Sequence, residues 1–549
     1  MRPAALLLAA VMPVLVSAQA PMAIRVDAGV SLGPFHPISS YFGYDEPNYT
    51  YMQYGPKLVG ELARSSSTPV NIRVHHLLCT GDGAAALKWG STNAYTEDAT
   101  GPPVYDWTIV DRIFDTYIHA GARPFVEIGF MPEALSIHPH PYTRNWPKPD
   151  DGQGWSYPPK DYARWGELVR QWVLHSIERY GRREVETWYW EVWNEPDISY
   201  WKGTAEEYDR LYDYAAAAVK SALPAARVGG PATTSPRNPK AADYLRQFLA
   251  HCAAKHVPLD FISYHAKGQT QMVDNHVRMD LARELQDAAA GMQVVRDFPS
   301  FARLPIVLSE ADPEGCAACA ARTNPQNAYR NGTQYPAYTA AALGAMLQLA
   351  DRYHANLAGM LTWAFEFDRQ PYFAGFRALA TNGIDKPVLN VFRMLGMMAP
   401  EGGERVRVES AGAVAVDDLM ASGARAQPDI DAMAVRSAHE IATLIWNYDD
   451  DDVAAPPAAV NLTITGIPAT VGRVLVRHYR IDEEHSNAYT AWLRMESPQQ
   501  PAAAQYARLE AAGQLELLRS PEWMSTQDGK LSVAFTLPRQ GVSLVEAGW

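Results

Sequence analysis

Trp188-Tyr189-Trp190-Glu191-Val192-Trp193-Asn194-Glu195-Pro196-Asp197 is an aromatic, β-prone run that stops abruptly at an amide, an acid and a proline. Aromatic and β-branched side chains suit a buried pleated surface, and a proline punctuates the strand's end. A buried strand with polar groups at its C-terminal tip is the design of a (β/α)8 barrel, which gathers its chemistry at that end. Leu304-Pro305-Ile306-Val307-Leu308-Ser309-Glu310-Ala311-Asp312-Pro313 repeats the design, with Glu310 at the tip. Outward from these two segments, short β-rich runs alternate with helical patterns between residues 37 and 400. The candidate strands are residues 39–43, 70–74, 124–129, 188–193, 227–230, 261–264, 306–308 and 360–364. Eight strands separated by helices predict an α/β chain whose catalytic unit, residues 37–400, is a TIM barrel with inserted loops. Between the third and fourth strands, Tyr162, Trp165, Leu168, Val169 and Trp172 recur at near-helical spacing, and Gly181 stands where that helix should stop.

The flanks read differently. Past residue 400, runs such as Ile441-Ala442-Thr443-Leu444-Ile445-Trp446 and Val460-Asn461-Leu462-Thr463-Ile464 lie between Gly, Pro and Asp clusters, which predicts a β-sandwich over residues 401–549. Residues 21–36 include the β-like Ile24-Arg25-Val26, which precedes the barrel and is expected to find its partners in that sandwich. Asp449 to Asp452 reads as a solvated turn; the spaced ligands and turn glycine of a calcium loop are missing. Residues 1–20 have a charged Arg2, an apolar run from Ala4 to Val16 and Ala18-Gln19-Ala20 as a cleavage site. That is the pattern of a signal peptide, so the mature chain is expected to be secreted or periplasmic, with no membrane attachment after cleavage. In an oxidising compartment Cys316 and Cys319 are read as a local disulfide or as free thiols. Two cysteines fall short of the four ligands of a structural zinc site, and no metal is expected.

Composition narrows the class. With 549 residues, 47% of them hydrophobic, the chain can bury a large core, and a net charge of −13 offers no general attraction to nucleic acid. Aromatic residues make up 11%, most of them serving core packing, though flat rings also stack on sugar faces.

Glu195 and Glu310 stand at the tips of the fourth and seventh strands, facing each other across the barrel mouth. The bland reading of each is a structural carboxylate bonded to loop backbone. Two opposed carboxylates, however, suit glycoside hydrolysis: one protonates the leaving oxygen and the other attacks the anomeric carbon, at a separation of about 5–5.5 Å. The two segments resemble glycoside hydrolase family 39, which contains β-xylosidases and α-L-iduronidases. Further motifs are similar to that family: Ile72-Arg73-Val74-His75, Tyr105-Asp106-Trp107, Phe125 to Pro132, and His478-Tyr479-Arg480-Ile481-Asp482 leading to His485 and Tyr489, a segment that would close over the site.

The resemblance implies that Glu195 is the acid/base, with a raised pKa, and that an ionised Glu310 is the nucleophile. Asn194 would bind the sugar 2-hydroxyl, His75 and His265 other hydroxyls, and Trp363 would form an aromatic floor. Lys267, in His265-Ala266-Lys267-Gly268, resembles the iduronidase branch, where it would hold a substrate carboxylate; it is otherwise a partner for hydroxyls or a loop acid. Arg377 is read as solvated or salt-bridged before a second anion contact. The expected function is a retaining exo-glycosidase that needs no cofactor and acts on an oligosaccharide or glycoside, foremost a β-xylosidase. An α-L-iduronidase-like or α-L-arabinosidase activity in the same pocket is the alternative, and an inactive carbohydrate-binding protein the non-enzyme one. Oligomeric state is left open.

Overall fold

The computed structural model describes residues 21–98, 101–140, 146 and 154–549; the signal read in residues 1–20 lies outside them. Strand β1 (Met22–Pro34) belongs to the second domain, and the chain then enters the barrel. The barrel strands are β2 (Tyr41–Tyr44), β3 (Asn71–Val74), β4 (Arg123–Ile128), β5 (Tyr189–Val192), β6 (Arg227–Thr233), β7 (Phe261–Lys267) and β8 (Ile306–Asp312). The eighth staves are β9 (Leu357–Met360) and β10 (Thr362–Trp363), one stave broken at Leu361. Neighbours pair in parallel in this order, β9 on β8 and β10 back on β2, so the barrel closes. Its strands are buried on both faces, as parallel sheets require, which is why Tyr189-Trp190-Glu191-Val192 shows no simple alternation. Helix Tyr162–Tyr180 starts on Asp161, whose carboxylate accepts the Ala163 and Arg164 amides, and ends at Gly181, whose φ of 87° suits glycine.

Three strands run well past the ends expected from the sequence: β6 continues to Thr233, β7 to Lys267 and β8 to Asp312. Polar side chains hid the ends of β7 and β8, because strand pairing at a barrel mouth tolerates residues that local propensity disfavours. The extension has a consequence for the site. Register now fixes Glu310 beside His265 and Asp312 beside Lys267.

The second domain is a β-sandwich made of one nine-stranded sheet wrapped around its own core. Its other strands are β11 (Glu404–Ser410), β12 (Asp429–Arg436), β13 (Glu440–Tyr448), β14 (Ala458–Thr465), β15 (Arg473–Ile481), β16 (Glu516–Ser525), β17 (Leu531–Leu537) and β18 (Gly541–Gly548). The order is β16-β15-β18-β13-β12-β11-β1-β14-β17. β1 pairs antiparallel with β11, Ile24 opposite Ser410, and parallel with β14, Met22 opposite Val460. Ile441 and Ile445 of β13 enter the sandwich core, while Leu444, Trp446 and Tyr448 join the barrel's hydrophobic cluster. Trp446 presses so closely on helix Gln334–Tyr353 that a Cβ on Gly344 would stand 2.6 Å from its ring.

Of Asp449 to Asp452, expected to form a solvated turn, only Asp452 is exposed. Asp449 and Asp450 are buried; Asp450 accepts from the Tyr448 hydroxyl at 2.6 Å and from Arg425 at 3.0 Å, and Asp451 takes a two-point bond from Arg278 at 2.5 and 2.8 Å. Neighbouring guanidinium groups let a run of acids sit at the domain junction. Leu444, Trp446, Tyr448, Val542 and Leu544 together place on the order of 10 kcal/mol of apolar burial across that junction. This is comparable to a whole domain's net stability. A chain ended after residue 400 should therefore go to inclusion bodies or aggregate on size-exclusion chromatography; a soluble, fully active truncation would show the domains to be independent.

Candidate active site

Arg73 is the hub of the barrel mouth. Fully buried on β3, it donates from Nε to Glu191 at 2.5 Å and from Nη2 to Asn194 Oδ1 at 2.8 Å, while Nη2 lies 3.0 Å from Glu127 and Nη1 3.3 Å from Glu310. Glu127 and Glu191 stand directly opposite each other in the β4–β5 register. Two adjacent buried carboxylates are tolerable because this guanidinium lies against both. Trp193 and Glu195 both take positive φ, 73° and 47°, as the chain turns sharply out of β5, and the Glu195 amide donates to Ala232 at 2.9 Å. Conformations of this kind cost about 1–3 kcal/mol each and persist only where surrounding structure imposes them.

One oxygen each of Glu195 and Glu310 and one ring nitrogen of His265 lie within 4.8 Å of one another. His265 Nδ1 is 2.9 Å from Glu195 and 3.8 Å from Glu310. Lys267 Nζ donates to Glu310 at 2.7 Å and to Asp312 at 2.5 Å. Burial works to raise the Glu310 carboxyl, but the charges of Lys267, His265 and His75 outweigh it and hold it well below the ordinary glutamate value. His75 is the converse. Burial disfavours its charge, yet Glu127 at 2.5 Å, helped by Glu310 and Asp45, raises it to about 9.

Asn194 Nδ2 and His265 Nε2 are buried without a hydrogen-bond partner among the described residues. Buried polar groups are nearly always paired, so these two are ready to engage a ligand. Trp363 packs against His75 at 4.3 Å between ring centres, with Arg73 at 5.2 Å, and Gly43 is obligatory beneath it because a Cβ there would meet its ring at 2.5 Å. Glu195, His265 and Glu310 are spaced to reach one cation. Lys267 and Arg73 already stand on the two Glu310 oxygens, however, so an added ion would meet two positive charges.

The sequence profile of glycosyl hydrolases family 39 matches residues 61–521. The chain belongs to this family. Among its relatives, a β-xylosidase of Geobacillus stearothermophilus is 28% identical over 462 residues, 81% of each chain. An α-L-iduronidase of Mus musculus is 26% identical over 539 residues, covering 90% of this chain and 76% of its own. In structure, the GH39 enzyme of Xanthomonas axonopodis pv. citri superposes with a TM-score of 0.75 at 21% identity, over 97% of this chain and 98% of that one.

Within this family 39 site the structure brings together all seven side chains singled out in the sequence: His75, Asn194, Glu195, His265, Lys267, Glu310 and Trp363. Lys267 faces two carboxylates of its own protein. Arg377 is salt-bridged and not solvated: it is fully buried, 2.9 Å from Glu314 and 3.3 Å from Asp312, with Nε donating to the Trp363 carbonyl at 2.9 Å. The segment from His478 lies elsewhere: His478 bonds Ser543 at 3.0 Å inside the sandwich, and Tyr489 packs on Phe373. Cys316 and Cys319 form a disulfide. The sequence alone assigns no role to Arg73, Glu127, Glu191 or Asp45. A signal existed: Arg73, Glu127 and Glu191 are charges in the middle of apolar strands, which need each other.

Lys267→Met would remove the charge on Glu310 while keeping an apolar chain of similar length. A carboxyl held low by that charge must rise when it is lost, so the acidic limb of kcat/KM should move to higher pH by roughly one unit. A pH–rate profile checks this. An unmoved limb with uniformly lower activity would place Lys267 on the substrate instead.

Proposed function

We propose that this family 39 glycosidase is an exported, retaining β-xylosidase that releases single xylose units from short oligosaccharides. What carries the retaining part is the approach of Glu195 and Glu310 oxygens to within 4.8 Å, near the spacing that direct nucleophilic attack needs and too close for an intervening water. Glu310, held ionised by Lys267 and its neighbours, attacks the anomeric carbon while Glu195 protonates the leaving oxygen. Glu195 then serves as base for the water that opens the glycosyl-enzyme. Asn194, its Oδ1 taken by Arg73, offers its NH2 to the 2-hydroxyl.

Charge pairing favours a neutral sugar in this pocket. Arg73, His75, Lys88, His265, Lys267 and Arg377 each already face a protein carboxylate. A substrate carboxylate would have to displace one of these pairs at a cost in buried charge. The α-L-iduronidase reading rests on the resemblance of Lys267 and of Glu310-Ala311-Asp312-Pro313 to that branch and on the iduronidase relatives. Residues 1–20 support export to the periplasm or the medium. A panel of nitrophenyl glycosides tests the reading: turnover of the β-D-xyloside far above the α-L-arabinoside and α-L-iduronide is expected. Preference for the iduronide would overturn the xylosidase assignment, and no turnover of any would leave a carbohydrate-binding protein.

A further inference from the structure

Asp45 stands buried just beyond β2, the strand that lies between β3, which carries His75, and β10, which carries Trp363. His75 Nε2 lies 3.5 Å from Asp45 Oδ1 and 3.4 Å from Glu310 Oε1, so a single imidazole nitrogen separates the two carboxylates. One pyranose ring spans such a gap. The other Glu310 oxygen, Oε2, is the one turned to His265 and through it to Glu195. Asp45 is thus reached from the Oε1 side of the nucleophile and the acid/base from the Oε2 side.

Lys88 completes the arrangement. Its Nζ donates to Asp45 Oδ2 at 3.0 Å, and its side chain keeps 16% exposure. An ammonium has three donors, and this is the one hydrogen bond of Lys88 Nζ seen among the described residues. The backbone aims it: Lys88 takes a φ of 72°, held by its amide donating to the buried Glu46 carboxylate at 2.5 Å. The Tyr200 hydroxyl borders the same space. Lys88 lowers its pKa, but burial and the charges of Glu195, Asp45 and Glu310 prevail and raise it.

A carboxylate ligand would have to break the Asp45–Lys88 pair. A hydroxyl joins it, accepting from the ammonium and donating to the carboxylate. With the anomeric carbon over Glu310 and the 2-hydroxyl on Asn194, the hydroxyls left for this pair are those at C3 and C4. We propose that Asp45 and Lys88 form the end wall of the pocket for the released sugar and determine its specificity. Asp45, nearer Glu310, takes the 3-hydroxyl, and Lys88 takes the 4-hydroxyl. The proposal rests on Glu310 being the nucleophile. β-D-Xylopyranose and α-L-arabinopyranose differ only at C4, so the same wall decides between them.

Nitrophenyl β-D-xyloside and its 3-deoxy and 4-deoxy analogues test this on the full-length enzyme. Each missing hydroxyl should cost the wild type about 10–100-fold in kcat/KM, as expected for a hydrogen bond to a charged group. Lys88→Met should slow the parent xyloside by a similar factor yet lose little more on the 4-deoxy analogue. Its preference for the xyloside over the α-L-arabinopyranoside should fall about tenfold. Asp45→Asn, which keeps the side-chain shape, should shrink the 3-deoxy penalty likewise, and it carries the test if Lys88→Met does not fold. A pair that served only the fold would slow all these substrates equally, so wild-type penalties retained in both variants would overturn the wall. Calorimetric binding of xylose and 4-deoxyxylose reads the wall without turnover. Tighter binding of xylose by a protein inactive on every aryl glycoside would sink the catalytic reading and keep the wall, whereas equal binding of the two sugars would sink the wall.

Discussion

Glu310→Ala should lower kcat/KM by about 10⁵-fold or more, on aryl and natural substrates alike, because no other group in the site can form the glycosyl-enzyme bond. Its ionised state is built in: Lys267 at 2.7 Å, Arg73 at 3.3 Å and His75 at 3.4 Å surround it. The wild type should be trapped by a 2-deoxy-2-fluoro xyloside with a reactive leaving group, and peptide mapping should find the label on Glu310. NMR of the first product should show the β-anomer. A label on another residue, or an α-anomer as first product, would remove the double-displacement mechanism.

For Glu195→Ala the expected pattern is selective. Natural xylosides should slow by about 10²–10⁴-fold, whereas aryl glycosides with good leaving groups keep a fast first step, since they need little protonation. Azide should then restore turnover as the β-glycosyl azide, entering the space left by the carboxylate. Equal loss on good and poor leaving groups, with no azide product, would move the acid/base role elsewhere. His265 is the test of whether Glu195 is held in place: its Nδ1 contact at 2.9 Å is the side-chain hydrogen bond seen on that carboxylate among the described residues.

Much of this was legible along the chain. Trp188 to Pro196 and Leu304 to Pro313 mark two barrel strands with acids at their tips, and all eight strands fall where β-rich runs alternate with helical spacing. This worked because burial on both faces leaves a parallel strand few residue types to choose from. It failed where polar residues continue a strand, as in His265 to Lys267 and Ser309 to Asp312, and where acids run together, as from Asp449. There, pairing partners far away in sequence decide the conformation.

By itself the sequence determined the barrel, the sandwich after residue 400 and the two catalytic candidates, because periodicity and strand-tip chemistry are local properties. Only the tertiary structure decided how the charges divide. Arg73 could not be read as the clasp of Glu127, Glu191 and Glu310, nor Lys267 as the partner of Glu310 and Asp312, until strand register set them side by side. The energy of a charge depends on every other charge within a few ångströms and on the water excluded around it, and barrel closure brings those neighbours from up to 237 residues away.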